Sequence, residues 1–331
     1  MMRAARRWLP LALLLLVVLA VAALAAVSPE VVRRRMVLAL VDLVAVVGLY
    51  VFAGNSGVLP FGHAGFMAIG AYTSGLLTIP APMKAMFLPA LWPWLQQTQW
   101  PAWAGPPAGG VVAALAALIV GPPLMGLSGI SASIATFALL VIVYTVVGNW
   151  SDVTGGQQSL MGLPLSTSLA PALVWACVAL VVAYAYQESR SALALRASRE
   201  DEAAARATGV HVRRERLVAF VLSALLSGIA GALLGHLAGT LRADSFYIDL
   251  TFLIVAMLVI GGMRSLTGAV LGTLSIALVT ELLRLAEAGV PVAGTLLRAP
   301  AGLGDALLAL AMLLVLLFRP SGLSGGRELG G

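Results

Sequence analysis

Charge is distributed very unevenly along this chain of 331 residues. Only three residues of the long segment 36–186 are charged: Asp42, Lys84 and Asp152. The much shorter segment 187–216 contains seven arginines and five acidic residues. Soluble domains contain about a quarter charged residues, whereas this chain contains 10% charged and 60% hydrophobic residues. We therefore expect a polytopic membrane protein, and we exclude a soluble enzyme, a fibrous protein and a disordered chain.

Ten apolar segments approach the length of a transmembrane helix, which needs about 20 mainly apolar residues. The eighth segment is too short to cross alone and could form one broken unit with the ninth. We therefore expect an all-α, polytopic bundle of about eight to ten transmembrane helices, some of them interrupted. The segments are 8–27, 36–53, 62–79, 109–127, 130–147, 169–186, 217–237, 250–261, 267–285 and 303–318.

The arginine-rich loop 187–216 predicts the orientation of the bundle, because cytoplasmic loops are enriched in Lys and Arg. This loop is expected in the cytoplasm, as are Arg319 and Arg327 if the eighth and ninth segments both cross. The arginine cluster at residues 33–35 then falls on the outer side, against this rule. Arginines that flank apolar segments explain the net charge of +6, so we infer no binding to nucleic acid.

Charge and hydropathy divide the chain into three parts. The first has a basic start and the first apolar segment, which is either a retained helix or, at 3–25, a cleaved signal sequence. The second is a membrane domain that includes the cytoplasmic loop 187–216. The three parts are 1–35, 36–323 and a cytoplasmic tail at 324–331.

Five glycines and Pro60 interrupt the apolar sequence between residues 54 and 72. They predict a broken helix, which is tolerated at membrane depth only where protein buries it or where it lines a wet cavity. Such breaks form substrate sites in transporters, because the N-terminus of a half-helix offers N–H groups to a carboxylate. Close packing of helices is the alternative, and His63 could equally be a packing residue. The pathway candidates are Asn55, His63, Gly65 and Asp42, a carboxylate within a predicted span.

Two predicted outer loops are long enough to have a function of their own. Residues 80–108 are rich in tryptophan and proline, and 148–168 is polar and rich in turn-forming residues. Loops of this length are often functional, so the second could contact a partner or gate the pathway. A solvated connection is the alternative. The candidate residues of this external loop are Trp150, Thr154, Gly155 and Gly156.

The charged loop contains a short predicted helix. Ser198-Arg199-Glu200-Asp201 has the pattern of a capping box, several alanines follow, and Gly209 is placed to end the helix. Such a helix could lie in the groove of a partner, or the loop could be solvated.

Two further glycine-rich segments predict close contacts. Gly231, Gly235 and Gly239 lie on one helix face and predict tight packing. The break at 261–272 contains Arg264, which should face the cytoplasm or pair with an acid.

Motifs for enzymatic chemistry are missing from this sequence. A phosphate-binding P-loop requires a lysine after a glycine, but the only lysine is Lys84, within Met83-Lys84-Ala85. Three scattered histidines and the single Cys177 form no metal or disulfide motif. We therefore expect no catalytic residue, no metal and no cofactor in this chain, and any energy source must be another polypeptide.

Five motifs occur in order between residues 36 and 323. They are Gly62-His63-Ala64 to Gly70-Ala71-Tyr72, Thr154-Gly155-Gly156 to Gly162-Leu163-Pro164, Glu202-Ala203-Ala204 to Gly209, Phe220-Val221-Leu222-Ser223-Ala224, and Arg319-Pro320-Ser321-Gly322-Leu323. On this ordered set the chain resembles the LivM-type permease subunit of branched-chain amino acid ABC importers. The sequence departs from the usual family pattern at Pro60-Phe61, Gln158-Ser159 and Met263-Arg264.

The resemblance implies a multi-pass subunit of a bacterial inner membrane. Its implied partners are a second homologous permease, two cytoplasmic ATPases that bind the ATP, and a periplasmic solute-binding protein, besides the lipid bilayer. Glu202, Ala203, Ala204 and Gly209 would belong to the coupling loop that docks on an ATPase.

The implied substrates are leucine, isoleucine and valine, and urea, short amides or aromatic acids are alternatives within the same family. An ion-coupled secondary transporter is a second alternative, based on the broken helices and Asp42. A membrane-embedded enzyme would rest on His63 and Asp42 alone.

Overall fold

The computed structural model describes residues 2–288, 290–292, 295–297, 317 and 322–325. Within them, eight helices are long and apolar enough to cross a membrane, or nine if the pair α3 and α4, bent by 119°, is counted. The expected all-α bundle with interrupted helices is confirmed. Most of the tenth predicted span, 303–318, and both Arg319 and Arg327 lie outside the described residues.

Most elements are helices, and the strands of the described part of the chain form only two short pairs. In chain order the elements are α1 (Met2–Val27), α2 (Glu30–Ser56), α3 (His63–Thr78), α4 (Ala81–Phe87), α5 (Pro93–Gln97), a 3-10 turn (Ala102–Ala104), α6 (Gly105–Leu124), α7 (Gly129–Asn149), α8 (Ser151–Thr154), β1 (Leu160–Met161), α9 (Leu169–Gln187), α10 (Arg190–Glu200), α11 (Glu202–Ala207), α12 (Val212–Ala238), β2 (Thr240–Leu241), a second 3-10 turn (Ala243–Phe246), α13 (Ile248–Gly261), α14 (Leu266–Ala288), β3 (Val290–Val292) and β4 (Thr295–Leu297).

Helix α10 and helix α11 mark one end of the bundle, which we call the charged-loop end. Arg199 Nη1 donates to the carbonyl of Gly54 near the end of α2 (2.7 Å), and Arg213 Nε donates to that of Pro122 near the end of α6 (3.0 Å). At the opposite, far end, β1 pairs antiparallel with β2, with Leu160 opposite Leu241. The predicted orientation makes the charged-loop end cytoplasmic and places the arginine cluster at the far end.

Helix α12 lies at the centre of the bundle and packs against α2, α3 and α6. Glycines allow these helices to approach closely. A Cβ at Gly231 would lie 2.0 Å from the carbonyl oxygen of Met67, and one at Gly70 would lie 2.1 Å from that of Gly228. These distances are far below van der Waals contact, so only glycine fits. The predicted role of Gly231 in tight packing is confirmed, and the contact is made within this chain.

Helices α13 and α14 are two antiparallel helices joined by a tight turn, so the alternative of one broken unit was wrong. A Cβ at Gly54 would lie 2.7 Å from the carbonyl oxygen of Met263, which places this turn at the charged-loop end. Arg264 is exposed there, as expected. In the tail, Leu323 N donates to the carbonyl of Ile260 (2.8 Å), so 322–325 lies at the same end.

Helix α1 packs against α9 and α2 at the edge of the bundle. The ring of Trp8 lies 5.5 Å from that of Tyr184, and Leu14 and Val18 are buried. Helix α2 begins at Glu30, so the boundary drawn between residues 35 and 36 falls inside this helix.

Candidate functional site

The predicted helix break lies between α2 and α3. Helix α2 ends at Ser56, and Gly57 follows in the left-handed conformation with a φ of 73°, which glycine adopts without strain. Helix α3 begins at His63, whose Nε2 lies 2.5 Å from Ser223 Oγ. Ser223 is eleven residues into α12, about 16 Å along the helix axis. The N-terminus of α3 therefore lies inside the bundle.

Ser223 links three helices at this break. Its hydroxyl group donates to the carbonyl of Gly48 in α2, and its oxygen contacts the ring of His63 at the start of α3. Helix α7 covers the other side, where Phe61 N donates to Thr136 Oγ1 (3.1 Å). Helices α2, α7 and α12 thus enclose the backbone of the break, which satisfies the requirement for irregular backbone at membrane depth.

Three buried polar atoms near the break have no hydrogen-bond partner in the described part of the chain. They are Asn55 Oδ1, His63 Nδ1 and Ser227 Oγ. No side chain caps the N-terminus of α3 either. A buried polar group without a partner costs about 1–3 kcal/mol, so this region has unused capacity to bind water or a polar substrate group.

The other two pathway candidates have different positions. Gly65 faces α7, where an added Cβ would lie at an ordinary contact distance of 3.5 Å from Val143. Asp42 is buried in α2, six residues before Gly48 and about 120° away around the helix. No hydrogen bond or ion pair joins its carboxylate to another described residue. The structure therefore brings Asn55, His63 and Gly65 to one region and leaves Asp42 apart from it.

The predicted helix in the charged loop is present, but its start was wrong. Helix α10 continues to Glu200, and Ser198 lies within it, donating to the carbonyl of Leu195. The N-cap of α11 is Asp201, whose side chain accepts a hydrogen bond from Ala204 N (2.9 Å). The predicted end is confirmed, since Gly209 has a φ of 88°.

An ion pair attaches α11 to the base of α12. Glu202 Oε2 accepts a hydrogen bond from Arg216 Nη2 (2.9 Å), and its other oxygen accepts one from Arg206 (2.5 Å). The Arg216 side chain is only 7% exposed and also donates to the carbonyl of Leu127 (3.2 Å). Arg216 was missed at the sequence level, because seven arginines in one loop give no indication of which is buried.

Beside this ion pair α11 presents a surface that a partner can reach. Ala203 and Ala204 are exposed. A cavity of about 520 Å³ adjoins the end of α11 at Arg206, and its lining also includes His211 and Arg213. Small side chains next to basic groups suit close contact with another protein.

The external loop is held in shape by Thr154. Its hydroxyl donates to the carbonyl of Val147 (2.6 Å), and accepts a hydrogen bond from Gly156 N (3.3 Å). Gly155 and Gly156 have φ values of 77° and 63°. Thr154, Gly155 and Gly156 therefore fix a turn at the end of α8.

Trp150 belongs to an exposed aromatic surface at the far end. Its ring lies 6.4 Å from that of Trp92, which stacks on Trp94 at 6.3 Å. Both outer loops thus contribute to this surface. Lys84 stabilises the loop 80–108. Its Nζ is buried and donates to the carbonyl of Leu95 (3.0 Å).

His236, to which the sequence assigned no role, ties the external loop to the bundle. Its Nε2 lies 2.7 Å from Ser74 Oγ in α3, and its Nδ1 lies 2.9 Å from the carbonyl oxygen of Pro164. A histidine with both nitrogens engaged in this way is a structural residue. In the described part of the chain, His, Cys, Asp and Glu form no group of three that could hold a metal ion.

Comparison with known proteins identifies the family. Residues 33–316 match the model of the permease component of the branched-chain amino acid transport system. The chain belongs to this permease family. The LivM-type resemblance inferred from the ordered motifs is confirmed, and so is a multi-pass membrane protein.

Relatives of this permease include two bacterial proteins named high-affinity branched-chain amino acid transport system permease protein LivM. That of Escherichia coli (strain K12) is 27% identical over 281 residues, 75% of this chain and 62% of its own. That of Salmonella typhimurium is 28% identical over 271 residues, 72% of this chain and 60% of its own.

A probable branched-chain amino acid transport permease protein LivH of Methanocaldococcus jannaschii is 28% identical over 210 residues, 58% of this chain and 63% of its own. The permease thus spans about three fifths of the length of the curated relatives it matches. No solved structure matches it.

Proposed function

We propose that this permease is the transmembrane subunit of an ATP-driven importer that moves leucine, isoleucine and valine across a bacterial inner membrane. Its partners would be a second homologous permease, two cytoplasmic ATPases and a periplasmic binding protein that delivers the substrate. Family membership supports transport of this class. Of the family's substrates, branched-chain amino acids are preferred here because the relatives are named for them.

One observation supports the proposed mechanism: helix α12 contacts both α11, which we propose as the docking surface for an ATPase, and the helix break. Arg216 of α12 holds Glu202 of α11, and Ser223 of the same helix contacts His63. The two α12 residues are seven apart, which is about 10 Å along the axis. A displacement of α11 by an ATPase would therefore move α12 and shift the start of α3.

The break itself suits an amino acid substrate. The uncapped N-terminus of α3 carries the positive end of the helix dipole, which favours a carboxylate. The unpartnered atoms of Asn55 and Ser227 can accept hydrogen bonds from an ammonium group or from water. The buried rings of Phe66 and Phe220, which meet edge to face at 5.3 Å, give the region an apolar character that is compatible with an aliphatic side chain.

The position of Asp42 argues against the ion-coupled alternative. A coupling carboxylate should lie where ion and substrate can meet, as in transporters that bind both at a helix break. Asp42 lies on a different face of α2 from Gly48, which contacts the break through Ser223. ATP hydrolysis on partner subunits is therefore the proposed energy source.

Reconstitution tests this function directly. The permease is placed in proteoliposomes with its second permease and ATPases, and uptake of labelled leucine from loaded binding protein is measured. We expect uptake to require ATP, to stop when the P-loop lysine of the ATPase is replaced, and to survive an ionophore. Uptake that continues without a functional ATPase, or that collapses with the ionophore while ATP is present, would contradict the proposal.

Competition determines the substrate class. Unlabelled isoleucine and valine should reduce leucine uptake, and urea, acetamide and benzoate should leave it unchanged. Inhibition by one of the latter group, with no effect of isoleucine, would assign the permease to one of the alternative substrates while keeping the ATP-driven mechanism.

A further inference from the structure

The proposed transport function leaves the arginine cluster unexplained. The cluster occupies the first turns of α2 at the far end, next to the end of α12. Arg34 Nη2 donates to the carbonyl of Leu237 (3.1 Å), which leaves its other N–H groups available. The N-terminus of α2 has no side-chain cap, so its helix dipole adds to the positive potential there.

Among the described residues around this cluster, arginines outnumber acidic residues. Arg33 pairs with Glu30, and Arg35 Nε lies 4.0 Å from Glu281, too far for a hydrogen bond. Glu281 already pairs with Arg284 (2.6 Å). Among the side chains that the structure describes here, two glutamates thus face four arginines when Arg34 is included. An excess of positive charge at one place is a natural site for an anion.

Two cavities of about 550 and 590 Å³ open beside the cluster, and both are lined by Arg34 and by Glu30, the partner of Arg33. The first also includes Thr167 and Ser168. The second continues along the helices past Leu38 and Leu234. The basic groups lie near the helix ends and the aliphatic groups lie one turn deeper in the bundle. This arrangement matches a ligand with a charged head and an apolar chain.

The depth of the cluster fits the membrane surface. Helices α2 and α12 have 27 residues each, about 40 Å, whereas the hydrocarbon core is about 30 Å thick. Their ends therefore reach the headgroup region, with Arg34 near the boundary and Leu38 one turn deeper. Arginine is well suited to phosphate, because its planar fork offers paired N–H donors.

We propose that the arginine cluster, with the adjoining ends of α2 and α12, binds the phosphate of an anionic phospholipid whose acyl chain lies along Leu38 and Leu234. This lipid would neutralise positive charge on the predicted outer side of the membrane, where the usual topology rule expects little of it. An acidic surface of a binding protein is the competing ligand, but it gives no reason for an aliphatic wall below the arginines. The inference does not depend on the substrate or on the energy source.

Native mass spectrometry of the purified full chain tests this site. The protein is mixed with equal amounts of phosphatidylglycerol and phosphatidylcholine, and the ratio of retained lipids is measured. We expect a preference for phosphatidylglycerol that falls about fivefold for each arginine removed in Arg34→Gln/Arg35→Gln. The matched control is Arg242→Gln, an exposed far-end arginine paired with Asp244, which should keep the preference.

A second variant tests the apolar wall without changing charge. Leu38→Trp should reduce retention of phosphatidylglycerol while the unfolding temperature in detergent alone stays close to that of the wild type. If the double glutamine variant does not fold, Arg34→Lys/Arg35→Lys keeps the charge and should retain part of the preference.

Three results would overturn the proposal. One is equal retention of both lipids by the wild type. Another is complete displacement of phosphatidylglycerol by millimolar inorganic phosphate, which would indicate a site for a free anion. The third is an unchanged lipid preference in Arg34→Gln/Arg35→Gln together with lost capture of the purified binding protein, which would make the cluster a protein-docking surface.

Discussion

Arg216 and Ser223 lie two turns apart on the same face of α12, and each holds a different segment of the chain. Arg216 binds Glu202 at the start of α11, and Ser223 contacts His63 at the start of α3. Two turns within a regular helix form a stiff segment, so the distance between these two contacts is nearly fixed. The relationship joins the surface proposed to receive the ATPase to the break proposed to receive the substrate.

Replacing Arg216 tests the first contact. Arg216→Gln removes a buried ion pair and the hydrogen bond to Leu127, and should destabilise the permease by about 1–3 kcal/mol. Leucine uptake should fall more than the amount of folded protein. Arg206→Gln is the control, because Arg206 is the 66% exposed partner of the same Glu202, and exposed pairs contribute about 0–1 kcal/mol. Equal loss of uptake in both variants would contradict the role of Arg216.

Replacing Ser223 tests the second contact. Ser223→Ala leaves both ring nitrogens of His63 without a partner and should lower the unfolding temperature, at a cost of about 1–3 kcal/mol. Ser227→Ala is the matched control one turn later, because it removes a buried hydroxyl that has no partner in the described part of the chain, and it should be neutral or stabilising. Thermal unfolding in detergent and leucine uptake are measured for both. A larger loss of stability in Ser227→Ala would refute this assignment.

The break between α2 and α3 could be predicted from sequence, because glycine and proline act locally on the backbone. The partner of His63 could not, since Ser223 is 160 residues away and meets it only through packing of α12 on α3. The same limit applies to Arg216 and to His236. Their roles depend on burial by distant helices, and neighbouring residues do not encode that.

The start of α11 illustrates a conflict between two local signals. Ser198 and Asp201 are both good N-cap residues, and the capping-box pattern favoured Ser198. The structure uses Asp201 because α10 continues past Ser198, where Leu195 and Ser198 are buried against the bundle. Tertiary packing of α10 therefore decided the helix boundary.

Gly231 should not tolerate even one added methyl group. A Cβ there would lie 2.0 Å from the backbone of α3, so Gly231→Ala must separate the two helices at a cost of about 1–3 kcal/mol or more. Gly65→Ala is the control, because its Cβ would meet α7 at 3.5 Å. Thermal unfolding should distinguish the two variants. Equal unfolding temperatures would show that α3 and α12 are not packed this closely.

Substitutions of Asp201 and Ser198 should have different effects on α11, the helix proposed to contact an ATPase. Asp201→Ala removes the N-cap of α11 and should destabilise that helix by about 1 kcal/mol. Hydrogen exchange at residues 202–207 should speed up about fivefold, and ATP-dependent leucine uptake should fall. Ser198→Ala removes only a hydrogen bond within α10 and should leave exchange in α11 unchanged. If Ser198→Ala speeds exchange in α11 and Asp201→Ala does not, the helix begins at the capping box after all, and the docking surface extends back to Arg199.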